Sequence, residues 1–477
     1  MKARLEQVRW PKHNRVFAFL SVCIAFTALL KSIAPTEIDD EIGYHLPIIR
    51  WIEQYGIVPG LANIEDRMGF NSGFHVLSAL FSLPTIWPSG LYDLNGLLYL
   101  CFGVFFLGKT FNLFEGRNTQ ILPSNLLCAA ALVFPFRAYL TSTDADFLNI
   151  YLGIYFLILI LQSIEQRSDS RSQFVIFGML LATLISVKAS SAVLIIPLLF
   201  LPAWRQNMGR KVLPCAVAFL IVILPWLIRN VIISGYLIYP IYYFDLFDVD
   251  WKLPREMVEG QFNYIGDYAR TMITQPFNTY HDLNPPFWVW FADWFDYQWS
   301  ILIGKFITLG LTLGVPISLI FGRKIFIVQR KYFPLLIGLI SMCIVWFCLF
   351  PAPRFAWAWI LATIVLISFL LARLFSAKIL KYLSFVVVIF ALLGVIRGSY
   401  ASIKDDLLIE HSWLATNQVE MPQIREQIQM GDFMAYVAKY DFCGGNPLPC
   451  IPAHYHPRLK ARGSKIEDGF RIENKKQ

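Results

Sequence analysis

Long apolar runs, broken by short polar punctuation, dominate this chain. Runs at residues 16–34, 91–111, 121–140, 147–163, 173–187, 190–204, 212–228, 301–321, 332–350, 355–372 and 380–397 approach the length that a helix needs to cross a bilayer, which predicts about eleven spans. The run at 74–87 is bounded by Pro84 and Pro88 and is too short to cross, so a dipping or re-entrant segment is expected there. Before it, Leu46, Ile48, Ile49, Trp51, Ile52 and Tyr55 interleave with Arg50, Glu53 and Gln54. That spacing predicts an amphipathic helix lying on the membrane surface, with Pro47 in its first turn.

Composition agrees with the pattern. Of 477 residues 56% are hydrophobic and only 16% charged, more apolar surface than a soluble chain of this length can bury. The fold class expected is an all-α polytopic membrane protein. The net charge of +8 is not a nucleic-acid signal, because the basic residues fall in short clusters between apolar runs, as in cytoplasmic loops. Lys2, Arg4, Arg9, Lys12 and Arg15 precede the first run, which is long enough to be a retained anchor rather than a cleaved signal. Lys109 with Arg117, Arg167 with Arg171, Arg205 with Arg210 and Lys211, Arg323 to Lys331, and Arg373 to Lys381 then share that side. The N-terminus is expected in the cytoplasm and the C-terminal tail outside. The division expected is a membrane domain, 1–397, with outer loops at 36–72 and 229–300, followed by an extracytoplasmic tail, 398–477. The 229–300 loop is rich in Trp and Tyr, which suits interfacial anchoring.

Sidedness brings out candidate chemistry. Glu37, Asp39, Asp40 and Glu41 follow the first span, and carboxylates are too costly at mid-membrane to lie anywhere but at its rim. Either they cap a surface helix whose positive end favours them, or one serves as a general base facing a membrane-bound substrate, with Tyr44 and His45 beside it. The segment Thr141 to Asp146 brings a second acidic patch, Asp144 and Asp146, to the same face. Two separated patches at one rim are harder to explain as caps. Lys188, Arg229 and Arg354 are cations on that face. They can bind phosphates of a lipid carrier or snorkel to headgroups. His75 and His281 have no partner pattern and read as structural.

Cys443 and Cys450 enclose turn-forming residues, CGGNPLPC. Outside the cytoplasm such a pair either closes a small disulfide loop, the preferred reading, or remains two unrelated thiols. A zinc site drawing on His454 and His456 does not match a usual ligand spacing. The other six cysteines lie in or beside apolar runs and read as small hydrophobes.

With those residues in view, the chain resembles the polytopic glycosyltransferases of the GT-C class, which use polyprenyl-phosphate-linked sugars. It is most similar to the protein O-mannosyltransferase and lipid A aminoarabinose transferase group. Their Asp-Glu-x-x-Tyr pattern after the first span reads here as Asp40, Glu41 and Tyr44, with Gly56 and Pro59 after the following helix. Their outer-loop Asp at the head of a later span matches Asp146, with Asp144 the alternative, and their hairpin-turn Lys matches Lys188. Arg229, Asn230, Gly235 and Pro240 fall at fixed points of a further shared segment. A related set of bacterial envelope proteins adds Tyr44-His45, Gly56 to Leu61 and Gly69 to Ser72. His45, Asn63 and the Gly69 to Ser72 run are not features of the mannosyltransferases.

The resemblance implies a GT-C-like bundle in the bacterial inner membrane. It implies inverting transfer of a sugar from a polyprenyl-phosphate donor to a glycan, lipid or protein acceptor on the outer face. Asp40 would be the base, with Asp146 orienting a substrate and Glu41 completing the acidic pair. Lys188, Arg229 and Arg354 would offset charge on the leaving phosphate. A divalent metal held by Asp40 and Asp146 is a further possibility; no other cofactor is implied, and no nucleic acid. The rival readings are an envelope polysaccharide polymerase or ligase, which would rely on outer-loop arginines, and a lipid-linked sugar flippase. The flippase should carry ionisable groups at the midplane.

Overall fold

The computed structural model describes residues 15–34, 40–86, 91–111, 113, 122–133, 137–166, 170–201, 208–271, 286–406, 421–454 and 457–473. Glu37, Asp39, His281 and His456 lie outside the described residues. The molecule is mostly helical. Among the described residues six helices are long and apolar enough to cross a membrane, within 15–32, 94–111, 145–166, 210–234, 357–375 and 377–404. The 287–300 and 304–320 helices make a seventh only if counted together, and they bend by 117°.

The expected count of eleven is therefore not reached in the described residues. Four of the predicted runs form shorter helices, Pro123–Val133, Arg171–Val187, Ala189–Leu199 and Phe333–Leu349. Eleven helical residues at Pro123–Val133 reach only about 16 Å at 1.5 Å per residue. Pro351 stands just past the Phe333–Leu349 helix, and the residue before a proline is driven out of helical geometry. The 189–199 segment starts as a 3-10 turn over Ala189–Leu194 before becoming α-helical.

The 145–166 helix is the axis of the bundle, with most of its surface covered, whereas the 210–234 and 377–404 helices are largely uncovered and have apolar outer faces. Around the axis Phe147, Tyr151, Ile154, Phe156, Phe177, Leu366 and Leu370 close one continuous core. Helices approach closely where glycine allows. A Cβ on Gly178 would stand 2.2 Å from the Cys215 carbonyl oxygen of the neighbouring helix, so only glycine permits that crossing.

A second core lies beyond one end of the bundle. Ile48, Trp51, Val58, Leu61 and Met68 from the first loop pack with Tyr236, Tyr239 and Leu253 and with Met430, Ile451, Leu459 and Phe470 from the tail. The tail adds strands to the expected all-α fold: β1 Ile424–Met430, β2 Phe433–Ala438, β3 Cys450–Ile451, β4 Leu459–Ala461 and β5 Phe470–Ile472. β1 and β2 form an antiparallel hairpin, β3 runs parallel to β2, and β4 pairs with β5. Cys443 and Cys450 are joined by a disulfide.

Strands of the tail complete the core of the first loop, and the last long helix runs on to Asp406. The Leu46–Tyr55 helix forms as the periodicity predicts, yet its apolar face covers protein rather than lipid. Trp51 is fully buried, edge-on to Phe470 at 5.9 Å between ring centroids. Periodicity reveals an apolar face but not what covers it.

Candidate functional site

The first loop enters the site through an unusual turn. Residues Glu41–His45 form a π-helical turn that runs directly into the Leu46–Tyr55 helix. Such widened turns displace side chains from the ordinary helical register and recur at functional sites. Here the turn sends Glu41 and His45 inward and leaves Asp40 at its start, with a side chain 39% exposed.

The second acidic segment meets this turn. Glu41 accepts hydrogen bonds from the Thr143 backbone N–H at 2.7 Å and from the Thr143 hydroxyl at 2.8 Å. The 139–144 segment is held in turn by Asn95, whose Nδ2 donates to the carbonyls of Tyr139, Ser142 and Asp144 at 3.1, 2.8 and 2.9 Å. Asp144 then accepts the Asp146 N–H at 2.6 Å, satisfying a free donor at the start of the 145–166 helix as an N-cap does. Burial, with Asp146 beside it, raises the Asp144 carboxyl above its ordinary range.

Asp146 is the anchor of the cations. Its side chain is only 2% exposed; it is paired with Lys188, and Arg354 Nε lies 3.9 Å from its other oxygen. Lys188 sits in extended backbone just past the Arg171–Val187 helix, and Arg354 in a 3-10 turn before the 357–375 helix. Two separate elements thus converge on one carboxylate buried at the start of a third. Aromatic rings complete the wall, with Lys188 over Phe355 at 4.3 Å and Arg354 over Tyr268 at 4.6 Å. Cations over ring faces gain attraction that needs no further polar partner.

His45 lies 3.8 Å from Glu41 through Nδ1. Burial by itself would lower its pKa, but the carboxylates of Glu41, Asp144 and Asp40 raise it. Its ring stands 5.2 Å from that of His75, which burial, then the charges of His45 and Arg229, hold well below the ordinary histidine range. His75, read from sequence as structural, is therefore part of this cluster. Arg229 comes near the cluster at His75. Asp40 faces Arg67 at 3.6 Å, and the Arg67 guanidinium lies over the Tyr44 ring at 5.2 Å.

The structure thus brings together Asp40, Glu41, Tyr44, His45, Asp144, Asp146, Lys188 and Arg354 at one end of the bundle. Sequence reasoning missed Asn95, Arg67, His75 and Tyr268. Asn63, and Asn71 of the Gly69 to Ser72 run, are staples. Asn63 Nδ2 donates to the Trp251 carbonyl at 2.8 Å, and Asn71, in left-handed backbone at φ 47°, donates to Asn230 Oδ1 at 2.8 Å. A divalent ion needs several chain oxygens or nitrogens around it. Among the described residues no group of three or more His, Cys, Asp and Glu is so arranged, and both oxygens of Asp146 already face cations. The residues do not fit the metal the resemblance allowed, and no step is derived through one.

A helical chain with several membrane-length apolar helices and a charged cluster at their ends defines a class, an integral membrane protein with a polar site at one rim. Within it, residues 2–361 match the model of the family described as a domain of unknown function, DUF8201, and the chain belongs to that family. No curated protein matches the chain.

Proposed function

We propose that this protein is a GT-C-type glycosyltransferase of the cell envelope, working on the outer face of a bacterial inner membrane. The observation that carries the reading is the division of labour between two aspartates in one mouth. Asp40 is reachable and only loosely paired, whereas Asp146 is buried and tied to two cations. A general base must be reachable by the proton it removes, and a positioning carboxylate must not move.

In the reaction proposed, an acceptor hydroxyl attacks the anomeric carbon of a polyprenyl-phosphate sugar and loses its proton to Asp40. The new bond joins the acceptor oxygen to that carbon, the carbon–phosphate-oxygen bond breaks, and polyprenyl phosphate departs. One displacement inverts the anomeric centre. Arg354 and Lys188, fixed by Asp146, offset the charge that develops on the leaving oxygen. Arg354 keeps a side chain 31% exposed, leaving its guanidinium reachable. Arg229, whose charge is felt at His75, is assigned to a headgroup or to the distal phosphate oxygens. Glu41 is spent on Thr143 and is assigned to positioning rather than proton transfer.

Sidedness supports the outer face. The first loop, the 139–146 segment and the tail touch one another, so they share a side, and a disulfide in the tail suits an oxidising compartment. Purified protein in vesicles, given a labelled polyprenyl-phosphate sugar and envelope extract as acceptor, should release free polyprenyl phosphate and a product of inverted configuration. Retained configuration, or no release with any such donor, refutes the assignment.

A further inference from the structure

A line of contacts joins the tail to Asp40, and the proposed chemistry leaves it unused. Arg67 Nη1 faces Asp40 at 3.6 Å, and Arg67 Nε donates to Glu65 Oε1 at 2.6 Å. The other oxygen of Glu65 faces His454 Nε2 at 3.2 Å, and His454 Nδ1 meets Asp441 at 2.8 Å. We propose that His454, Glu65 and Arg67 form a positioning relay that fixes Asp40, making the C-terminal domain a working part of the site. The inference rests on the reading of Asp40 as the base.

An arginine on a turn has many rotamers, and aiming one nitrogen at Asp40 requires a second anchor. Glu65 supplies it. Its side chain is 1% exposed, so its charge must be met by groups inside the protein. Arg67 meets half of that need and His454 the other half. The fork of the guanidinium lets Nε serve Glu65 while Nη1 stays with Asp40, which a lysine cannot do. The tail also grips the π-helical turn directly, since the Gly444 N–H donates to the Ile42 carbonyl at 2.9 Å. A Cβ on Gly43 would meet Arg67 on one side and Phe442 of the tail on the other, each at 3.6 Å. Arg67 and the tail thus flank the segment that carries Asp40. A tail serving only as a cover has no need of an ion pair buried beneath it.

The charged groups facing His454 are Glu65 and Asp66 from the first loop and Asp441 from the loop after β2. The hydrogen bond that His454 donates to Glu65, opposed by burial and aided by Asp441, raises its pKa to about 9. At neutral pH His454 is therefore cationic. As pH rises through that value the relay loses its outer charge.

The test uses the full chain in vesicles. His454→Gln should lower kcat by up to about 100-fold with the donor KM unchanged, and abolish the alkaline limb near pH 9 expected of the wild type. Arg67→Lys should lower kcat as Arg67→Ala does. Carbodiimide labelling of Asp40, read by mass spectrometry, needs no turnover. His454→Gln, Glu65→Gln and Arg67→Ala should each speed it severalfold, because the guanidinium that restrains the reachable carboxylate at 3.6 Å is released. Asp441→Asn, at the exposed end of the relay, should shift the labelling in the same direction and guards against misfolding of the others. Unchanged labelling of Asp40 in His454→Gln and Asp441→Asn overturns the relay. If the wild type turns over no lipid-linked sugar, the functional reading falls and the labelling still decides the relay.

Discussion

Replacing Lys188 with methionine isolates what holds the cation cluster together. The substitution keeps an apolar stem against Phe355 and removes only the ammonium that meets Asp146. Asp146 is 2% exposed and Lys188 23%, so the pair is buried on its acidic side. Deleting one partner of a buried pair costs about 3–5 kcal/mol, because the remaining charge is left without compensation. Arg354 stays 3.9 Å from the second carboxylate oxygen and relieves part of this, which sets the expected loss near the lower end, about 3 kcal/mol. Asp146→Asn combined with Lys188→Met removes both charges and should recover about 2 kcal/mol of it. Equilibrium unfolding in mixed micelles, with denaturing detergent titrated against a mild one at neutral pH, measures all four corners of this double-mutant cycle. If Lys188→Met is no less stable than the double variant, the coupling is absent and the cluster is not held as argued.

Two further outcomes follow from the second core. Gly60 has φ +67°, and a Cβ there would lie 2.1 Å from the Phe470 carbonyl oxygen. Gly60→Ala should therefore cost about 2 kcal/mol or more and expose the tail to limited proteolysis while the membrane helices stay intact. Replacing Cys443 and Cys450 with serine opens a loop of sequence separation 7. A loop so short should cost less than the ~3 kcal/mol of a fifteen-residue one, seen as a lower Tm that reducing agent reproduces in the wild type.

The charge pattern expected the two acidic stretches at one rim, and Thr143 does touch Glu41. The 145–166 and 357–375 helices were equally plain, being long, apolar and uninterrupted. The span count was not, because an apolar run shows composition and not where a helix ends. His75 looked isolated because its neighbour, His45, is brought to it only by tertiary packing. Arg67 and the link of His454 to Glu65 were invisible for the same reason, since no local pattern ties a residue of the first loop to one near the end of the chain. The tail hairpin did leave a signal that went unread. Ile424, Ile428 and Met430 share the parity of a strand, and Gly431 with Asp432 forms the turn into β2.

The account turns on one carboxylate. The most direct measurement is release of polyprenyl phosphate by Asp40→Asn against the wild type, with donor binding followed in parallel. An amide keeps the shape of Asp40 but cannot take the acceptor's proton. Turnover should fall by about two to four orders of magnitude while donor affinity, set by Arg354 and Lys188, is preserved. Asp40→Asn turning over like the wild type would contradict the assignment of Asp40 as the base.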